Sequence, residues 1–258
     1  MGTFIKISCG LLFMGATAAG LVGSFARAQQ APTTQAAASA TPAFTEDFES
    51  GELKADVWAP TVVNGGTVTV QQDVAAHGKY ALKAHYPTPA TGRPYAFAVV
   101  KHLPESLKGH LFGRAYVNFP NPIPAGHVLF ITAGSDGWPV SNFMEIGNRQ
   151  NKAQLSYQQN GKDVQRGETM IAGPAYPIGK WFCLEWEFND TPDTISIWID
   201  GEKVVDAKPA GFRGTNEDLI KGFVEAGFGF RSWGNVPNGF DVYYDDIAFG
   251  TSRIGPVK

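Results

Sequence analysis

The chain has 258 residues, and its 21 lysines and arginines against 24 aspartates and glutamates give a formal net charge of −3 at pH 7. This balance provides no basic surface of the kind that binds nucleic acid or an anionic membrane, so we expect neither as a partner. Charged residues make up only 17% of the sequence, which leaves enough apolar material for one domain with a large core.

The first 28 residues have the pattern of an export signal. Lys6 supplies a positive start, Ile7 to Val22 is an uncharged apolar run, and Ala26-Arg27-Ala28 is an A-x-A cleavage site. A membrane anchor is the competing interpretation, but the apolar run is short and broken by glycine, and no second span follows. We therefore expect a secreted or periplasmic protein that begins near Gln29 and does not insert into the membrane after cleavage.

Residues 29–43 contain Ala, Thr, Gln, Ser and Pro without any charge, which is typical of a flexible linker. Signal cleavage removes Cys9 and leaves Cys183 as the only thiol. An intramolecular disulfide and a zinc or iron-sulfur site built from cysteines are therefore excluded. We expect residues 44–258 to form one monomeric domain that is held by its hydrophobic core.

Short runs of alternating apolar and polar residues recur through this domain, and no stretch keeps the helical spacing of apolar residues over three turns. Turn signals such as Asn64-Gly65-Gly66, Asp200-Gly201 and Asn238-Gly239 separate the runs. The runs predict strands at Thr67–Gln71, Ala81–Tyr86, Ala96–Lys101, Leu111–Phe119, His127–Ala133, Phe143–Ile146, Gln154–Gln158, Trp181–Phe188, Thr194–Asp200, Gly222–Arg231 and Phe240–Phe249. This pattern predicts an all-β sandwich of two antiparallel sheets.

Alternation along each strand separates core residues from residues on the outer face. Between Trp181 and Phe188 the even positions are all large and apolar, so Glu185 and Glu187 must point outward. The same count assigns these residues to an outer face: Arg114, Tyr116, Glu145, Glu185, Glu187, Trp198, Glu225, Arg231 and Trp233. We expect them to share the exposed face of one sheet.

This mixture of side chains is suited to binding a sugar polymer. Aromatic rings stack on the apolar faces of pyranose rings, while arginines and carboxylates hydrogen-bond hydroxyl groups or a uronate. The alternative is an ordinary solvated surface with scattered aromatic residues. Because two tryptophans and several charged groups fall on the predicted face, we favour a polysaccharide-binding groove.

Motifs spread over most of the domain resemble those of the fungal cellulose-induced secreted proteins and their relatives, the glucuronan lyases. In chain order they are DFESG at 47–51, NGGTVTV at 64–70, GKYALK at 78–83, HVLFI at 127–131, IG at 146–147, CLEWE at 183–187, WIDG at 198–201 and YYDDIAFGTSRIG at 243–255. The resemblance implies a concanavalin A-like β-jelly-roll domain that acts on cell-wall or extracellular polysaccharide.

The resemblance also implies a structural Ca²⁺. The family's ligands fall on Glu49, on Asp245 and on the loop backbone at His77 and Tyr80. Carboxylates combined with carbonyl oxygens are the ligands that Ca²⁺ prefers. The family's asparagine-type ligand is replaced by Tyr80, which can offer only its backbone. The alternative is that Asp245 caps a turn or pairs with Lys or Arg.

A uronate lyase must neutralise the sugar carboxylate, remove the proton at C5 and protonate the departing oxygen. The resemblance offers His127 and Tyr157 as base and acid, and Arg149 or Arg114 is the candidate cation. The chain departs from the family at Phe143, Glu145 and Arg149, where cellulose-induced members carry a histidine, an arginine and a glutamine. A glutamate in place of the arginine would repel a uronate, and a lone histidine such as His127 often has only a core role. We therefore expect a binding protein with weak or absent lyase activity, and we keep an active lyase as the alternative.

The charge count on the predicted face points to the same conclusion. Three cations, Arg114, Arg149 and Arg231, stand against four glutamates, at 145, 185, 187 and 225. We therefore expect neutral glucan or xylan-type polymers to bind at least as well as glucuronan or alginate.

A glucanase-type glycoside hydrolase is a third interpretation. Glu185, Glu187 and Asp190 give the pattern E-W-E-x-x-D on one strand. Carboxylates two residues apart on one face lie about 6 to 7 Å from each other at Cα, near the separation that a retaining pair needs. The order differs from the E-x-D-x-x-E of concanavalin-like glucanases, so this interpretation ranks below the other two.

Overall fold

The computed structural model describes residues 41–88, 95–135, 143–160, 165–189, 194–207, 222–234, 236 and 238–257. Side chains are described for all of these except residues 156–160, 165–172, 194 and 207. The predicted signal at 1–28, most of the linker at 29–43, and Asp190 lie outside the described residues.

The described residues form fifteen strands and a short 3-10 helix, Glu105–Leu107. The strands are β1 (Phe44–Glu46), β2 (Trp58–Val63), β3 (Thr67–Gln71), β4 (Ala81–Tyr86), β5 (Tyr95–Val100), β6 (His110–Asn118), β7 (Val128–Gly134), β8 (Phe143–Arg149), β9 (Lys152–Asn160), β10 (Gln165–Ala172), β11 (Trp181–Asn189), β12 (Thr194–Ile199), β13 (Glu202–Ala207), β14 (Glu225–Ser232) and β15 (Phe240–Gly250). In this part of the chain no helix is long and apolar enough to cross a membrane.

The strands build two antiparallel sheets that pack face to face. Sheet A has the order β13-β12-β11-β6-β15-β4-β3, with β1 paired to β15. Sheet B has the order β10-β9-β8-β7-β14-β5-β2. The predicted all-β jelly-roll sandwich is confirmed.

Large apolar side chains from both sheets fill the space between them. Burying one such side chain contributes about 1.5–3 kcal/mol. Alternation correctly predicted the core side of two neighbouring strands, which is formed by Phe182, Leu184, Trp186, Phe188, Ile195 and Ile197. Trp186 of sheet A packs against Phe228 of sheet B with ring centroids 6.0 Å apart, so the two sheets share one core.

The residues of the predicted groove divide between the two sheets, so the expectation of one shared face is wrong. Sheet A carries Arg114, Tyr116, Glu185, Glu187 and Trp198, whereas sheet B carries Glu145, Glu225 and Arg231, and Trp233 directly follows β14. The outer faces of two packed sheets point in opposite directions, so the two sets cannot line one groove. Alternation gives the face on which a residue lies, but it does not say to which sheet the strand belongs.

Two neighbouring strands of sheet B, β7 and β14, each contain a bulge. The register of β7 shifts between Leu129 and Ile131, and that of β14 shifts between Phe228 and Arg231. A bulge interrupts the ladder of hydrogen bonds. Alternation continues through this one, since Ala226, Phe228 and Phe230 all join the core, and it places Arg231 on the outer face.

A tyrosine from the opposite sheet supports these bulges. The buried hydroxyl of Tyr244, on β15, lies 2.8 Å from the carbonyl oxygen of Phe130 and 2.6 Å from that of Gly229. Both carbonyls belong to residues inside the register shifts, where the pairing of β14 with β7 and of β7 with β8 is interrupted. Tyr244 therefore offers a donor through the core to backbone groups that would otherwise be costly to bury.

Candidate functional site

The outer face of sheet A is covered by the chain's own C-terminal segment, residues 251–257. Arg253 forms a bidentate ion pair with Glu185, with Nε 3.1 Å from Oε1 and Nη2 2.7 Å from Oε2. The N–H of Gly255 donates to Oε1 of the same carboxylate at 2.8 Å. Glu185 is consequently only 1% exposed, and its charge is fully engaged within the protein.

Two further predicted groove residues contact the same C-terminal segment. The N–H of Val257 donates to the Tyr116 hydroxyl at 3.2 Å, and Nη1 of Arg114 donates to the carbonyl oxygen of Gly255 at 3.3 Å. Nε of Arg114 also donates to the carbonyl oxygen of Asp246 at 3.2 Å. These side chains therefore hold the chain terminus in place.

Trp198 does not form the open stacking platform that its outward register predicted. The Arg253 guanidinium lies 4.8 Å from its ring centroid and the Lys203 ammonium lies 4.9 Å from it. Only 6% of Trp198 is exposed. Its register is outward as predicted, but Lys203 from the next strand and Arg253 from the distant C-terminal segment cover the ring.

Glu187, the second carboxylate of the glucanase-type pattern, is also engaged. His110 Nε2 lies 2.7 Å from its Oε1. Since Glu185 and Glu187 both have partners within the protein, neither is placed as a nucleophile or acid facing an open groove. The geometry of these two residues does not support the glycoside hydrolase interpretation.

On the outer face of sheet B, an arginine packs between two aromatic residues. The guanidinium carbon of Arg231 lies 4.3 Å from the ring centroid of Trp233 and 5.4 Å from that of Tyr95. The imidazole of His127 stacks on Trp233 with centroids 4.5 Å apart and 20° between the ring planes. We call Tyr95, Arg231, Trp233 and His127 the Trp233 cluster. Stacking of this kind holds the cation in place on a surface that is part apolar and part charged.

His127 is the half-buried titratable member of the Trp233 cluster. Its Nε2 contacts the side-chain amide of Gln154, and this contact orients the imidazole. Burial, together with the positive charges of Arg149 and Arg231, lowers the pKa of His127 from 6.5 to about 4. The imidazole is therefore neutral at neutral pH and able to accept a proton.

Glu145, on β8, lies on the same outer face of sheet B as the Trp233 cluster. Its Cα partners are Thr132 on β7 and Ser156 on β9. The side chain is 0% exposed, and burial raises the pKa of Glu145 well above its ordinary value, although the charge of Arg231 acts to lower it. Arg231 acts electrostatically on both Glu145 and His127, so all three belong to one site.

The two other predicted catalytic residues are placed less completely. Arg149 is exposed at the end of β8, close enough to influence the titration of His127. Tyr157 pairs in register with Met144, but its side chain lies outside the described residues. The structure therefore brings Arg149 and His127 together and does not test Tyr157 as an acid.

Two residues of this site were not predicted from the sequence. Gln154 is a polar residue between Ala153 and Leu155, both of which join the core, so alternation could have assigned it to the outer face. Tyr95 begins β5 beside Arg231, and no local pattern indicates that pairing.

The predicted calcium ligands Glu49 and Asp245 meet the same loop, residues 76–80. Oε1 of Glu49 accepts from the N–H groups of Lys79 and Tyr80 at 2.8 and 2.9 Å. Oδ2 of Asp245 accepts from the N–H groups of Ala76 and His77 at 2.8 and 3.1 Å. The carboxylates have the chemistry that Ca²⁺ requires and share a loop, while the contacts described here are with N–H groups. Calcium binding stays a prediction.

The arrangement can now be compared with known proteins. A family model described as the Cip1-like core domain, of polysaccharide lyase-like type, matches residues 47–252. The chain belongs to this family. The match covers nearly the whole folded part and confirms the resemblance drawn from the sequence motifs. A comparison with curated proteins finds no match.

Solved structures of similar fold include two of the same type. The chain is 21% identical to "Cellulose induced protein, Cip1", with a TM-score of 0.61 over 83% of this chain and 100% of that one. It is 18% identical to an endo-β-1,4-glucuronan lyase from the fungus Trichoderma reesei, with a TM-score of 0.62 over 82% and 96%. A GH16 protein of a Bacteroides ovatus mixed-linkage glucan locus is 13% identical, with a TM-score of 0.56 over 80% and 99%. At these identities the likeness establishes the jelly-roll fold.

Proposed function

We propose that this protein binds uronate-containing polysaccharide on the outer face of sheet B. The observation that carries this proposal is the Trp233 cluster, in which Arg231 is held 4.3 Å from the ring centroid of Trp233. Aromatic side chains can stack on the apolar faces of sugars, and a guanidinium can pair with a carboxylate. Membership of a polysaccharide lyase-like family supports a polysaccharide as the ligand.

The division of charges between the two sheets reverses the preference expected from the sequence. Glu185 and Glu187 lie on sheet A, where Arg253 and His110 are their partners. Of the three arginines counted with them, Arg114 also belongs to sheet A. Arg149 and Arg231 remain with sheet B against Glu145 and Glu225, and burial raises the pKa of Glu145 and so favours its neutral form. The cations then outnumber the ionised glutamates, so we propose that acidic polymers bind better than neutral ones.

Lyase activity is the second candidate, and the neutral imidazole of His127 favours it. In a β-elimination His127 would take the C5 proton, the C4–O bond would break as the C4=C5 bond forms, and an acid would protonate the departing oxygen. Tyr157, the acid that the resemblance implies, pairs in register with the core residue Met144, so its register does not support that role and the acid is unassigned. Because Nε2 of His127 contacts Gln154, the imidazole must exchange this contact before it can act as a base, so we rank turnover below binding.

Binding and turnover can be separated in one set of measurements. The protein is tested on immobilised glucuronan and on the same polymer with its carboxyl groups reduced to alcohols. Retention on glucuronan without absorbance from a 4,5-unsaturated uronate indicates binding, and such absorbance indicates a lyase. Release of reducing ends without that absorbance, or stronger binding to the reduced polymer, would contradict the proposal.

The two tryptophans on opposite outer faces provide a matched pair of variants. We expect Trp233→Ala to weaken glucuronan binding by about 1–2 kcal/mol, because it removes the ring that holds the Arg231 guanidinium in place. Trp198→Ala should leave the affinity unchanged and lower the stability, because Trp198 is buried under the C-terminal segment. The opposite pattern would assign the ligand to sheet A.

We also propose that the protein is exported and that its mature form begins near Gln29. The support is the sequence pattern of residues 1–28. Mass spectrometry of the protein recovered outside the cytoplasm should give a mass that begins at or close to this residue. A full-length mass would contradict the assignment.

A further inference from the structure

Glu145 lies on the outer face of sheet B with its carboxyl group buried and unpaired. Its neighbours Met144 and Ile146 both join the core, so Glu145 points to the other side of the sheet. The side chain is 0% exposed. Neither carboxyl oxygen has a hydrogen-bond partner in the part of the chain that the structure describes.

A buried carboxylate without a partner is costly, and a protein avoids the cost by keeping the group protonated. Among the described residues, Arg231 on β14 is the charged side chain that acts on Glu145, and the effect of burial exceeds it. Thr132, the partner on β7, carries no titratable group. The local surroundings therefore favour the neutral acid.

A neutral carboxyl group has one O–H donor that an ionised carboxylate lacks. With no acceptor among the described residues, that donor represents a hydrogen bond still to be made. The arginines on this face favour an anion, and a carboxylate is the strongest acceptor that a sugar polymer can bring. A uronate satisfies both requirements, whereas a neutral sugar offers only hydroxyl groups.

We propose that Glu145, as a neutral acid, donates a hydrogen bond to the carboxylate of a uronate bound on this face and so selects acidic over neutral polysaccharides. The proposal rests on the proposed function, since it requires the ligand to lie on sheet B. It also requires the side chains that bury Glu145 in the free protein to move aside when the ligand binds. It replaces the expectation from the sequence that a glutamate at this position repels a uronate.

The experiment compares three variants with the wild type on two polymers, glucuronan and its carboxyl-reduced form. Glu145→Gln keeps a neutral donor, and Glu145→Leu removes it. Glu105→Gln is the control for loss of one negative charge, because Glu105 is an exposed residue paired with Lys108. We expect Glu145→Gln and Glu105→Gln to bind glucuronan like the wild type and Glu145→Leu to bind it about tenfold more weakly. The reduced polymer should bind all four proteins equally.

Two binding results would overturn the proposal. If Glu145→Leu keeps the full affinity for glucuronan, the carboxyl group does not contact the ligand. If Glu145→Gln loses the preference for glucuronan, an ionised carboxylate is needed instead of a neutral donor. The thermal midpoint of each variant verifies that it is folded.

A stability measurement separates failure of this proposal from failure of the proposed function. The native protein keeps a proton on Glu145 that the unfolded chain releases above pH about 4.3, so native stability should fall as pH rises relative to Glu145→Gln. If the wild type binds neither polymer but shows this pH dependence, the uronate role is wrong and the neutral acid is right. A midpoint difference that does not change with pH would overturn the neutral acid itself.

Discussion

Two buried glutamates of this molecule have opposite surroundings. Glu185 accepts hydrogen bonds from two nitrogen atoms of Arg253 and from the N–H of Gly255. Glu145 has no hydrogen-bond partner among the described residues. A buried carboxylate is tolerated only when it is paired or protonated. Glu185 is therefore explained by the fold, while Glu145 is left for a ligand. In the sequence both are simply outward-facing glutamates on strands.

The lowered pKa of His127 predicts a specific pH dependence of stability. Between pH 6.5 and about 4 the unfolded chain takes up a proton on this histidine and the native protein does not. Stability should therefore fall as pH falls through this window. Thermal midpoints of the wild type and of His127→Gln are measured from pH 7 to pH 4. The midpoint of the wild type should fall relative to that of His127→Gln as the pH falls. A constant difference across the range would contradict the lowered pKa.

At the scale of elements, the bulges of β7 and β14 and the C-terminal segment shape the two outer faces. The bulges interrupt the ladder of sheet B next to Arg231. Residues 251–257 cover the part of the sheet A outer face around Glu185 through Arg253 and its neighbours. Both features depend on contacts between residues far apart in sequence.

Loss of the Tyr244 hydroxyl should weaken the bulged region. Tyr244→Phe keeps the ring but leaves the carbonyls of Phe130 and Gly229 without their donor, at a cost of about 1–2 kcal/mol. Tyr86→Phe is the matched control, because Tyr86 is also buried in sheet A and packs its ring on Phe230 of sheet B. Urea denaturation of both variants gives the comparison. Equal losses would show that the hydroxyl of Tyr244 has no special role.

Removal of Arg253 should expose how much the C-terminal segment contributes. Arg253→Ala leaves Glu185 buried without its cation, which should cost about 3 kcal/mol and shift the fluorescence of Trp198 to longer wavelength. Lys203→Ala is the control, since Lys203 also contacts Trp198 and its ion pair is with the exposed Asp206. It should cost less than about 1 kcal/mol. If the two variants are equally stable, the ion pair does not hold the segment.

Strand prediction found every strand that has a neighbour on each side, and the strands it missed lie at the edges. The predicted Ala81–Tyr86 coincides with the central strand β4, and Thr67–Gln71 coincides with β3, an edge strand that was also found. The missed strands β2, β10 and β13 end their sheets, and among the described strands β1 pairs with β15 alone. Edge strands tolerate residues that a central strand does not, as Pro60 in β2 illustrates. Alternation also gave the correct core face, but it could not assign strands to sheets or predict that residues 251–257 cover Trp198.

At the scale of the whole molecule, the two outer faces of the sandwich differ. The sheet A face is engaged with the chain's own C-terminal segment and with the loop at residues 76–80. The sheet B face carries Glu145, the Trp233 cluster and the exposed Arg149. The contacts of the first face serve stability, and the second is the face that we propose for binding.

Calcium should stabilise the fold if the family's ligand positions are used here. Addition of millimolar Ca²⁺ should then raise the thermal midpoint of the wild type above its value in chelator. Asp245→Ala should erase this response, whereas Asp241→Ala, on the same strand and paired with Lys83, should keep it. An unchanged midpoint of the wild type would show that these residues bind no calcium.

The most direct test compares one arginine from each outer face. Glucuronan affinity is measured by calorimetry for the wild type, Arg231→Ala and Arg114→Ala, with folding verified by thermal melts. Because the ligand is assigned to sheet B, Arg231→Ala should lose about tenfold in affinity, as expected for loss of one charge-assisted contact, and Arg114→Ala should bind like the wild type. Loss of binding in Arg114→Ala with full affinity in Arg231→Ala would contradict the assignment.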